Sequence, residues 1–153
     1  MADIRAGDRV SKDYWPPAVM VNDATDQTDI TSTSFTAGSP EAGVGFTSPL
    51  TGRIGVCLVA GMLEQSAGNR IQVGFEVYEG TSAAGTLVRG VKNGLGVSTS
   101  GNSGSVLEQV SGNMCIVEGL TPGVAHYARV MHAVDGGTTN DVTHRRLIVF
   151  PAP

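Results

Sequence analysis

Lysine is nearly missing from this chain: Lys12 and Lys92 are the only two. Leu and Glu are also sparse, and no long stretch is free of Gly, Pro or β-branched residues, so no helix longer than a turn is predicted. No apolar run approaches the ~18 residues of a membrane-spanning helix, which excludes that class. The opening Met1-Ala2-Asp3-Ile4-Arg5 lacks the apolar core of a secretory signal, so folding in a reducing cytoplasm is expected. The only cysteines, Cys57 and Cys115, sit among apolar strand residues and are expected as buried thiols, not a disulfide. Basic charge does not dominate: the net charge is −4 and the pI near 5.2, a balance that argues against binding naked nucleic acid.

What is present is glycine (21 residues), Thr and Ser, placed between short Val/Ile/Thr/Phe runs, in a chain of 153 residues that suits one domain. Arg70 to Tyr78 alternates cleanly, with Ile71, Val73, Phe75 and Val77 on one face and Gln72, Gly74, Glu76 and Tyr78 on the other. Period two marks a half-buried strand, and Glu on the second face turns that face toward water or a polar partner. Arg53 to Met62 reads as its hairpin partner, with Ile54, Val56 and Leu58 opposite Cys57 and Val59. Further hairpins are read at 106–110 with 113–117 across Ser111-Gly112, and at 127–134 with 143–150 across a Gly/Thr/Asn/Asp loop. Short strands are read at 44–47 and 86–89, an edge or intersubunit strand at 30–36, and a Gly/Ser/Asn loop at 92–105. Pro122-Gly123 supplies the preset φ and the positive φ of a type II turn. The expected fold is all-β: an antiparallel β-sandwich, jelly-roll-like or immunoglobulin/fibronectin-like, of about eight to nine strands. Residues 1–18 read as an extended N-terminal arm, carrying the only Trp before Pro16 and Pro17, and 19–153 as a single sandwich domain.

Catalytic chemistry finds little support. No Gly-x-Ser-x-Gly elbow occurs; Gly101-Asn102-Ser103-Gly104 lacks the strand-to-helix setting such a motif needs. His126, His132 and His144 have no Cys or carboxylate at metal-ligand spacing. Asp23, Asp26 and Asp29, and Asp135 with Asp141, do not make a calcium loop and read as solvated turn residues. No catalytic, cofactor-binding or metal-binding residue is therefore expected. Partner binding is expected at Tyr14, Trp15, Pro16 and Pro17, which form an amphipathic anchor. It is also expected at Tyr78 on the polar face of its strand, and at Arg145, whose planar fork suits an ion pair between subunits.

Two resemblances bear on function. Gly119-Leu120-Thr121-Pro122-Gly123 followed by Tyr127, Arg129 and Val130 resembles the corner of a fibronectin type III domain, although His126 stands at that family's Tyr position. A second likeness covers nearly the whole chain. It runs through Ile4-Arg5-Ala6-Gly7-Asp8-Arg9-Val10, Pro16-Pro17-Ala18-Val19, Asp29-Ile30-Thr31-Ser32-Thr33-Ser34-Phe35 and Ser48-Pro49-Leu50-Thr51-Gly52-Arg53. It ends in Arg129-Val130-Met131-His132 and the strand before Pro151. In these the chain is similar to small virion proteins of tailed phages that infect actinobacteria. That resemblance implies a non-enzymatic structural protein of the virion, a capsid decoration that binds the major capsid protein or another virion protein and self-associates, often as a trimer. It also implies assembly in the host bacterial cytoplasm, no cofactor, and no nucleic-acid or membrane partner. The alternative it leaves is a tail-fibre tip or minor tail protein binding a host-surface glycan.

Overall fold

The computed structural model describes residues 15–65, 69–92, 95–99, 107–136 and 140–153. Tyr14, the rest of the arm and the Gly101–Gly104 segment lie outside the described residues. Eleven strands run antiparallel: β1 Val19–Asp23, β2 Gln27–Ile30, β3 Thr36–Ala37, β4 Gly43–Thr47, β5 Ile54–Glu64, β6 Ile71–Glu79, β7 Thr86–Arg89, β8 Val97–Ser98, β9 Leu107–Val117, β10 Ala125–Val134 and β11 Asn140–Pro151. Among the described residues there is no α-helix.

Three strand pairs are single lines interrupted midway. β1 and β2 both lie along β11, β3 and β4 along β10, and β7 and β8 along β6. Counting each interrupted line once, four lines form each sheet: β9-β5-β11-(β1, β2) and (β7, β8)-β6-β10-(β3, β4). Successive lines change sheet at every step except from β6 to β7. That path is the jelly roll, not the immunoglobulin-type sandwich.

The path corrects the expected hairpins. β5 and β6 do not pair: β5 lies between β11 and β9, while β6 lies beside β10. β10 and β11 also belong to opposite sheets. Ser111-Gly112 is no turn, because β9 passes straight through it with Ser111 opposite Ala60 and Gly112 opposite Val59. Ser-Gly has turn composition, but a Cβ at 112 would stand 3.3 Å from Val59 Cγ2, so the glycine leaves room for its neighbour. The Pro122-Gly123 turn forms as read: Gly123 has φ +72° and the Val124 N–H donates to the Thr121 carbonyl at 3.4 Å.

The inward faces follow the sequence. Val56, Leu58, Met62, Ile71, Val77, Val130, Val142 and Leu147 are completely buried between the sheets, each side chain contributing about 1.5–3 kcal/mol of transfer free energy. On the outer face of β6, Gly74 and Tyr78 are also buried, which period two did not foresee. Val91 covers Gly74, where a Cβ would come within 2.4 Å of Val91 Cγ2. Cys57 and Cys115 are free and only half-buried. Val56, which faces inward, is opposite Cys115, whereas Cys57 is opposite the exposed Met114. The two thiols therefore lie on opposite faces of one sheet and cannot join.

Candidate binding surface

The chain enters the body through Trp15-Pro16-Pro17. Pro16 is buried, while Trp15 remains 44% exposed. The two prolines border a groove of about 380 Å³ with Phe46, Thr47 and His126. The Phe46 and His126 rings stack at 5.5 Å and 21°. His126 Nδ1 stands 2.9 Å from the Val124 carbonyl. A carbonyl only accepts, so Nδ1 carries the proton. Phe46 and His126 occupy adjacent lines because β4 pairs with β10 in direct register, Phe46 opposite His126. Pro16 and Pro17 thus pack against the body of the sandwich, and the Trp15 indole stays exposed.

Tyr78 lies in a polar network on the outer face of the β6 sheet. Register places Tyr127 opposite Tyr78 and Arg129 opposite Glu76. Glu76 Oε2 accepts from Tyr78 Oη at 2.5 Å and from Arg129 Nε and Nη2 at 3.2 and 3.1 Å. Arg129 Nη1 donates to Glu41 Oε2 at 2.7 Å, and Tyr127 Oη donates to Glu41 Oε1 at 2.7 Å. The guanidinium also lies 5.2 Å from the centre of the Tyr78 ring. Burial opposes the charge of Arg129, but Glu41 and Glu76 hold it protonated more firmly than usual. Burial and the Glu41 carboxylate push the Tyr127 phenol up to about 12. Glu41→Gln is expected to lower that phenol part-way toward its ordinary value near 10, read by ultraviolet titration. Because Glu41 is partly exposed, stability should fall by only about 1 kcal/mol.

Arg145 is not at the rim. It is completely buried on the inner side of β11, in phase with Leu147 and Val149. Arg145 Nη2 donates to Asp23 Oδ2 at 2.7 Å and to the Pro40 carbonyl at 3.1 Å. Its Nε and Nη1 have no hydrogen-bond partner among the described residues. Asp23 is correspondingly not a solvated turn residue: its Oδ1 accepts the Thr25 N–H at 2.7 Å. Burial works against the Asp23 charge, but the Thr25 bonds and Arg145 hold its carboxyl below the usual range. Burial and the nearby Arg145 push the His132 imidazole down to about 4. Among the described residues no three His, Cys, Asp or Glu are grouped to hold a metal ion. Arg145, expected at a partner contact, is thus paired with Asp23 of its own chain, and that companion had no local signal in the sequence.

Large apolar side chains are also exposed. Val110, Met114 and Ile116 project from the outer face of β9, Met20 from β1, and Leu87 and Val88 from β7.

The fold and surface define a jelly-roll sandwich with an externally placed tryptophan and one strongly apolar flank. No family model and no curated protein matches the sequence. Among solved structures the chain is similar to one of infectious bursal disease virus Gx strain, with TM-score 0.50 and 9% identity, covering 88% of this chain and 32% of that one. It is also similar to the infectious bursal disease virus VP2 subviral particle, with TM-score 0.46 and 9% identity, covering 90% of this chain and 33% of that one. The chain thus spans about a third of the length of the chains it matches. At this identity the likeness is one of fold.

Proposed function

We propose that this chain is a non-enzymatic structural protein of a virus particle, specifically a capsid decoration protein of a tailed phage. Residues 1–18 serve as the arm that binds the particle, residues 19–153 form the body, and copies of the body associate. The observation that carries this reading is the surface. Arg129 is matched within the chain by Glu41 and Glu76, while large apolar side chains, Trp15, Val110, Met114 and Ile116 among them, are turned outward. Such groups suit a protein partner better than a substrate. The jelly-roll path shared with a chain of a virus structure agrees with it.

The test is binding of the purified chain to phage particles assembled without it, imaged by cryo-microscopy. Saturable decoration of the capsid is expected. Trp15→Ala should weaken it about 30-fold, as for a central aromatic anchor worth about 2 kcal/mol. Binding to the host envelope, with none to capsids, would replace this reading with a glycan-binding tail component.

A further inference from the structure

We propose that the free edge of β9 is a self-association surface, and that its occupant is the β9 strand of a second copy of this chain. This develops the self-association part of the proposed function and does not depend on the particle.

A sheet edge offers unpaired N–H and C=O groups, and folded chains commonly blunt it with short strands, breaks or charge. Three of the four edge lines here are blunted. β1 and β2 are separated, with a register shift on β11 between Asn140 and Val142. β3 and β4 are short and separate, and β7 and β8 are separated, with a shift between Val77 and Tyr78. β9 differs in every respect. It is 11 residues long and keeps unbroken register with β5 from Leu107–Glu64 to Val117–Ile54. It contains neither Pro nor Lys, and no charge falls between Val110 and Val117. Among the described residues no strand pairs with its second edge.

The residues of β9 say which partner fits. An antiparallel copy related by a two-fold axis at Gly112 sets Val110 against the partner's Met114, and the reverse. These are the two most exposed large apolar side chains described, at 70% and 66%. Opposed apolar pairs of this kind are the unit that stabilises adjacent strands. On the opposite face of β9, Asn113 Nδ2 donates to the Gly96 carbonyl at 3.3 Å. A two-fold contact closes on itself, so the unit is a dimer in place of the trimer that the sequence resemblance implies.

Native mass spectrometry and light scattering of the full chain test this, alongside amide exchange across residues 109–115. Expected are a species of twice 15.8 kDa and β9 amide protection that falls on dilution. Val110→Lys and Met114→Lys should each raise the dissociation constant at least tenfold with an unchanged circular dichroism spectrum, since both side chains are exposed in the monomer. A wild-type monomer at 100 μM-scale concentration (about tenfold above a ~10 μM dissociation constant,) would overturn the proposal. So would an oligomer that survives both substitutions, or β9 protection that persists in a monomer, which would mean that another part of the chain covers the edge. A dimer that fails to decorate particles would sink the particle reading and leave this one standing; a monomer that decorates them would do the reverse.

Discussion

Asp23→Ala is expected to lower stability by about 3–5 kcal/mol, a large share of the 5–15 kcal/mol typical of a folded domain. The reason lies in Arg145, not in Asp23. The guanidinium is fully buried, Asp23 is its only carboxylate within ion-pair distance among the described residues, and two of its nitrogens already lack partners. Removing the carboxylate leaves a charge between two sheets with, among the described residues, only the Pro40 carbonyl to accept from it. Arg145→Met should be milder, because it removes the charge along with its need for a partner. The combination Asp23→Ala with Arg145→Met should then be more stable than Asp23→Ala alone. Urea unfolding of the three variants measures all of this. If Asp23→Ala is lost within 1 kcal/mol of wild type, the ion pair does not govern this end of the sandwich.

The second large effect is in acid. His132 is 5% exposed and its imidazole is held down to about 4, first by burial and then by Arg145. In the unfolded chain it titrates near 6.5. Above that value both states carry neutral imidazole and the stability is complete. As the pH falls from about 6.5 toward 4, only the unfolded chain takes up this proton, so stability decreases. The total should be roughly 3 kcal/mol, levelling below about 4. Asp23 and Glu41 have carboxyl groups held below their usual range, so their contributions are lost at still lower pH and leave the His132 window distinct. His132→Leu should flatten the change between pH 6.5 and 4.5 in chemical unfolding. An equally steep profile in that variant would assign the acid sensitivity to other groups.

Which side chains face inward was legible in the sequence, because alternation in a strand is local geometry. Ile71, Val73, Phe75 and Val77 go inward whatever β6 pairs with. The same parity carries Arg145 inward, two and four positions from Leu147 and Val149, and this signal was available to be read. That Trp15 precedes two prolines was also legible, but not whether it packs inward or stays exposed. Pairing was not. A period-two strand presents the same face to any neighbour, and a connection such as the one between β5 and β6 can close a hairpin or cross the ~10 Å between two sheets. The tertiary structure alone decided that β5 lies beside β11 and β9. It decided too that Asp23 meets Arg145 across 122 positions and that, among the described residues, no strand pairs with the second edge of β9. Each is a matter of register between distant segments, set by how two whole sheets enclose one core, and no short stretch of residues contains it.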